Sequence, residues 1–192
     1  MKIGRPDGWW NRRVPIARIS LMVGALLVGF CLWVVYRDLI ASIVWGVRHQ
    51  RTASFRGQTL QVPWFWREEE WTNYNEFELT RGYLRPAFSS SVTVRYENTA
   101  PGDVQRRVES KRNVHARMPQ VPGSFYGDYE GDDFSRAHYV CLDEGFTWSP
   151  LLIVDCFSRD GRWSVGMFGL KQSRREFEMI LRGVASMGNP TK

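Results

Sequence analysis

His138 and Cys141 lie three positions apart, with Asp143, Asp155 and Cys156 close in sequence, and these are the side-chain types from which a nucleophile and base can be built. Such a pair works only when both groups reach one another on the same face. The surrounding residues 137–142 read as a β-strand, in which positions three apart point to opposite faces. The geometry therefore argues against a Cys/His centre. Three histidines in the whole chain, without ligand spacing, argue equally against a zinc site. Asp128, Glu130, Asp132 and Asp133, interleaved with Gly127 and Gly131, offer oxygen ligands of the kind Ca²⁺ takes, but DYEGDD does not follow the EF-hand pattern. An acidic, solvated turn is the plainer reading, and no cofactor is expected. Glu68, Glu69 and Glu70 stand between Trp64, Trp66 and Trp71. These aromatics, with Asp128, Asp132 and Asp133, form the candidate surface for a partner or ligand. The chain contains no P-loop, GxSxG, HExxH, CxxC or GxGxxG motif.

The element that must position all of this is a membrane segment. Residues 19–36 read ISLMVGALLVGFCLWVVY, eighteen residues without a formal charge. At the helical rise they cover about 27 Å, against a hydrocarbon core of about 30 Å, and flanking apolar residues close the difference. Trp9 and Trp10 on one side, and Trp33, Tyr36 and Trp45 on the other, are suited to the interfaces. The run is longer than a signal-peptide core, and Leu39 spoils the small-residue site before Ala41. An uncleaved signal anchor is expected. Residues 39–47 are too few to span again and read as a continuation of the same helix into the interface.

Charge sorts by region. The formal charge of +6 is concentrated in the first eighteen residues, which carry +4, while residues 49–192 carry only +1. A nearly neutral domain is a poor ligand for a phosphate backbone, so nucleic acid is not an expected partner. Lys2, Arg5, Arg12, Arg13 and Arg18 before the span outweigh the basic residues beyond it. That bias places the N-terminus in the cytoplasm and the C-terminal domain outside the inner membrane, which in a bacterium is the periplasm. Cys31 falls inside the span. Cys141 and Cys156 form an even pair in a compartment that permits oxidation and are the candidate disulfide; two reduced, buried thiols are the alternative.

The organisation expected from these signals is a basic cytoplasmic tail (1–15), a transmembrane helix with interfacial extension (16–47), a polar linker (48–57), an α+β domain (58–188) and a short tail (189–192). Within the domain, 58–62, 77–80 and 91–97 read as strands. Thr99 and Pro101 open a helix over 99–117 with a thin apolar stripe and an otherwise basic surface. Residues 120–134 read as a long loop. Residues 151–158 and 163–170 form a hairpin about Asp160-Gly161, a turn that pairs Cys156 with Val165 and Val154 with Met167. The apolar residues on both faces of this hairpin mark it as a central pair covered on both sides. Ser173-Arg-Arg-Glu176 has the form of a capping box, Phe177, Ile180, Leu181, Val184 and Met187 follow at helical spacing, and Gly188-Asn189-Pro190 closes the helix with Gly left-handed. A mostly antiparallel sheet packed by one or two helices follows from this order.

The order of elements, with LQVPWFW ending an early strand, FSRDGRW at a hairpin and REFEMILRGV in a final helix, resembles the Mog1/PsbP-like α/β/α sandwich over about residues 55–188. The resemblance implies a binding or assembly module with no shared catalytic residues to carry over. The functional expectation is thus a membrane-anchored, non-catalytic domain that binds another membrane or envelope protein, as an accessory subunit of a membrane complex. The rivals are an envelope enzyme built on the carboxylates and His138 within 128–143, and a small-ligand module.

Overall fold

A computed structural model describes residues 10–69, 75–82, 90–119 and 121–188, with the backbone alone for 10–17. The chain divides into two units, residues 1–37 and 38–192. The first contains most of helix α1 (Trp10–Arg48). Within α1, Arg18–Arg48 is long and apolar enough to cross a membrane, and none of its most apolar stretch is buried. An apolar stretch that covers nothing of its own protein is suited to the apolar interior of a bilayer.

The second unit begins with the last turns of α1, where Ser42 is buried and Trp45 packs against the domain core. Residues 38–48 are therefore part of the folded unit. Gly82 lies against this stretch so closely that a Cβ there would fall 2.5 Å from the Asp38 carbonyl oxygen. The polar segment read as a linker is also structured. Strand β1 (Thr52–Phe55) pairs with β2 (Gln58–Gln61), because Ala53 and Phe55 are buried on one side while the polar residues alternate outward.

Seven further strands form one antiparallel sheet: β3 (Trp66–Glu68), β4 (Glu76–Arg81), β5 (Ser90–Tyr96), β6 (Ser124–Asp128), β7 (Tyr139–Phe146), β8 (Leu151–Ser158) and β9 (Trp163–Leu170). Their spatial order is β3-β4-β5-β9-β8-β7-β6. The β8–β9 register pairs Cys156 with Val165 and Val154 with Met167, as the Asp-Gly turn requires. Within this turn Gly161, and not Asp160, takes the left-handed conformation (φ 76°), and its N–H donates to the Ser158 carbonyl at 2.9 Å. The fold is α+β.

Helix α2 (Pro101–Arg117) starts two residues later than the 99–117 expected from sequence, with Ala100 at its cap position. The Thr99 N–H donates to the Gly161 carbonyl, so the residue is held by the hairpin and does not cap the helix. The 120–134 loop is corrected as well. It contains β6 and leads into a short helix, α3 (Asp133–His138), whose cap Asp132 accepts the Ser135 N–H at 2.8 Å. Pairing with β7 draws a Gly- and Asp-containing segment into the sheet, a case of tertiary context overriding propensity.

Helix α4 (Arg174–Ser186) buries Phe177, Ile180, Leu181 and Val184 on one face of the sheet, each contributing about 1.5–3 kcal/mol of apolar burial. The capping box does not form. Ser173 enters through a 3₁₀ turn (Lys171–Ser173) with non-extended dihedrals, and its hydroxyl makes no cap bond. Arg81 instead engages Glu176 at 3.1 Å. The helix ends with the Met187 N–H donating to Val184, and Gly188 is not left-handed; Asn189 and Pro190 lie outside the described residues. The same core cluster takes in the β1–β2 hairpin. On the opposite face α2 sets Val104 and Val108 against Leu142 and Phe157.

Candidate functional site

One helix is too narrow to cover a seven-stranded face. Strands lie about 4.8 Å apart and a helix is about 10 Å across, so α2 covers roughly two strands. Its buried contacts, Leu142 on β7 and Phe157 on β8, leave the α2-side face of β4, β5 and β9 open. The expectation that the central hairpin is covered on both sides is therefore corrected on this face, where Phe168 of β9 is 51% exposed. Beside α2 the open face forms a groove of about 600 Å³.

Sheet register fixes what lines the floor. Thr93, Gly166 and Asp155 form one row across β5, β9 and β8, and Ser91, Phe168 and Ile153 form the next. Gly166 keeps the centre low, because a Cβ there would sit 3.2 Å from an Asp155 carboxylate oxygen. The walls are charged in pairs. Lys111 of α2 bonds Asp155, the Arg107 guanidinium donates to Glu97 at 2.8 Å, and Arg95 donates twice to Glu76, at 2.7 and 3.0 Å. Three cations thus face three carboxylates, and the groove carries no net charge. Burial pushes the Glu97 carboxyl up, but the Arg107 guanidinium and the Ser164 hydroxyl, which donates at 2.9 Å, together hold it below the usual carboxylate range. Cys156, which also lines the groove, is held in a disulfide with Cys141, and the Ser164 hydroxyl donates to Glu97. The groove presents paired donors and acceptors around an exposed aromatic ring.

No protein-family model matches this chain, and no curated protein matches it.

The residues singled out from the sequence are distributed differently. Cys141 and Cys156 face each other across β7 and β8 and are joined as a disulfide, with Cα atoms 4.0 Å apart. Trp66 is a core residue, 1% exposed, and belongs to no surface. Trp64 is 52% exposed, with the Arg51 guanidinium 4.7 Å above its ring. Trp71 lies outside the described residues. The three acidic candidates do not converge: Asp128 pairs with Arg112, Asp132 with Arg182 and Asp133 with Arg136. Among the described residues no group of three His, Cys, Asp or Glu side chains is placed to hold a metal ion. His138 is the last residue of α3 and not part of a strand. Its Nδ1 lies 3.0 Å from the Phe134 carbonyl and its ring stacks on Phe134, while Cys141 is held in the disulfide.

The groove as a site escaped the sequence reading, in which Asp155 was named only as a neighbour of His138 and Cys141. Arg95, Lys111, Asp155 and Phe168 come from four separate elements and Glu97 lies just beyond β5; the register of β5, β9 and β8 and the packing of α2 bring them together. The available signals were Arg107 and Lys111, four apart on one helix face, and the polar residues alternating with Val92 and Val94 on β5.

Proposed function

We propose that the chain is a membrane-anchored, non-catalytic binding subunit whose α2-side groove seats another membrane or envelope protein. The observation that carries this reading is the uncovered half of the α2 face, with Phe168 half-exposed on a central strand and flanked by charges already neutralised in pairs. An aromatic centre within a polar rim is the usual anatomy of a protein interface. The neutral groove disfavours a polyanion, and its strands are paired on both edges, so the partner contributes side chains and does not add a strand. The Mog1/PsbP-like resemblance leads to the same kind of role, since that superfamily consists mostly of binding and assembly modules.

In this reading α1 is an uncleaved signal anchor with the N-terminus cytoplasmic and the folded unit on the periplasmic side. Support comes from the basic residues before the apolar run and from a disulfide that an oxidising compartment would preserve. The test is affinity purification of the full chain in mild detergent, comparing wild type with Phe168→Ser and Lys111→Glu. A membrane or envelope protein is expected to co-purify with the wild type and to be lost from both variants. Recovery of a lone wild-type monomer, or a partner retained by both variants, would refute the assignment.

A further inference from the structure

The large exposed apolar side chains of the folded unit are unevenly placed. Sheet register defines two ends: Arg81 pairs with Ser90 and Leu151 with Leu170 at one, Tyr96 with Trp163 and Tyr139 with Ser158 at the other. The first end adjoins α1. There the Gly82 N–H donates to the Phe65 carbonyl at 2.7 Å, and Gly82 itself lies against the Asp38 carbonyl and the Ser42 side chain. Trp64 and Phe65 are exposed at this corner, and Phe65 is held at φ 70°, a costly conformation for a bulky residue. Across the same end the β7–β8 turn presents Trp148, 74% exposed. The Thr147 N–H donates to the Gly123 carbonyl at 2.8 Å, which brings exposed Val121 to this end as well. Helix α2 leaves the other end, where Thr99 is tied to Gly161, and reaches the first with His115 bonded to Glu144 and Met118 exposed just beyond. Among the described residues, 96–99 and 158–163 at the far end include no large exposed apolar side chain.

Apolar surface gathered at one end of a domain marks a contact, and α1 says with what. The charge-free run ends at Tyr36, and Asp38 follows two residues later, about 3 Å along the helix. A bilayer has about 30 Å of hydrocarbon within a total of about 40–45 Å, which leaves a headgroup layer of about 5–8 Å on each side. Because residues 38–42 pack against the domain, its near end starts at the hydrocarbon boundary and lies within the headgroup layer. The helix carries the matching surface. Ser42, Trp45 and Gly46 face the domain, whereas Ile40, Ile43 and Val44 are exposed on the other side, apolar where a helix standing in water would be polar. Tryptophan is the residue best suited to this layer, with an apolar ring and a polar N–H.

We propose that the α1-side end of the sheet is a bilayer-contact surface, with Trp64, Phe65 and Trp148 in the headgroup layer of a phospholipid membrane. The folded unit is then seated on the membrane and does not swing on a tether. This rests on the reading of α1 as a membrane span, and it is independent of the groove and of which side of the membrane the unit occupies.

The test places the full chain in nanodiscs of phosphatidylethanolamine and phosphatidylglycerol that contain a lipid with a nitroxide on its headgroup or deep in its acyl chain. A fluorophore is attached to native Cys31 or, with Cys31→Ser, to Ile43→Cys, Thr147→Cys or Gly102→Cys; Cys141 and Cys156 are joined and take no label. All four positions are exposed, and a Cβ at Gly102, in the first turn of α2 at the far end, meets open space. The deep nitroxide should quench the label at 31, and the headgroup nitroxide those at 43 and 147. The label at 102 should keep its emission with both. Trp64→Ser with Trp148→Ser should relieve the quenching at 147 and leave that at 31 intact. Quenching at 31 but not at 147 would overturn the seating while leaving the span in place, and no quenching at 31 would refute the span and the seating together. A label at 147 that is shielded from aqueous iodide yet untouched by lipid nitroxide would mean that protein covers this end, and would also overturn the proposal.

Discussion

Replacing Cys141 and Cys156 together by alanine removes the disulfide cross-link between β7 and β8. The cysteines are 15 residues apart in sequence, and closing a loop of that length restricts the unfolded chain by about 3 kcal/mol at 25 °C. For a folded unit of this size each kcal/mol moves the melting temperature by about 2–4 °C, so the double variant should melt about 6–12 °C lower. Both sulfurs are buried in the main core cluster. Loss of the bond therefore leaves small apolar side chains in place, and the sheet register should survive. Thermal melts of the full chain in detergent, with and without reductant, measure the difference, and circular dichroism checks that the fold persists. Reductant should lower the wild-type transition and leave the variant unchanged. Equal melting temperatures for oxidised wild type and double variant would refute the loop-closure argument. Two freely reacting thiols in unreduced, denatured protein would refute the bond itself.

Phe177→Ala empties a fully buried position between α4 and the sheet and should cost about 3–5 kcal/mol, measured by urea denaturation. Asp143 has one buried carboxylate oxygen without a partner, and burial raises its pKa against the pull of Lys171 and Arg174. Its charged form is the destabilised one, so Asp143→Asn should stabilise the protein at neutral pH by about 1 kcal/mol or less. That gain should shrink as the pH falls and the wild-type carboxyl takes up its proton. Glu97 and Asp160 behave oppositely. Burial raises each, but Arg107 and Ser164 around Glu97, and Ser158 and Arg162 around Asp160, more than reverse it. Their folded-state pKa values are depressed, so the stability they contribute is complete above the ordinary carboxylate range and lost as pH falls below it. Acid titration followed by melting temperature should show a smaller decline in a Glu97→Gln, Asp160→Asn variant than in the wild type.

Much of the architecture was legible because it rests on local periodicity. The apolar run of α1, the Asp160-Gly161 hairpin with its register, and the stripe of Phe177, Ile180, Leu181 and Val184 are written in short windows of sequence. What was not legible depends on distant partners. Thr52–Phe55 reads as polar linker until β2 folds back on it, and Ser124–Asp128 reads as loop until β7 offers its edge. Ser173 and Glu176 have the right spacing for a capping box, but a 3₁₀ entry and Arg81, 95 positions away from Glu176, decide otherwise. The groove is the extreme case. Lys111 and Asp155 are 44 positions apart and Ser164 and Glu97 are 67 apart, so no window of sequence contains them.

The proposed function requires a folded unit held outside the inner membrane by its own apolar helix. An alkaline phosphatase reporter fused after Lys192, which becomes active only where disulfides form, tests this directly in cells. Strong activity in the membrane fraction, with Cys141 and Cys156 resistant to thiol labelling until reduced, is the expected result. An inactive reporter with both thiols labelled, or activity released in a soluble form lacking the apolar helix, would contradict it.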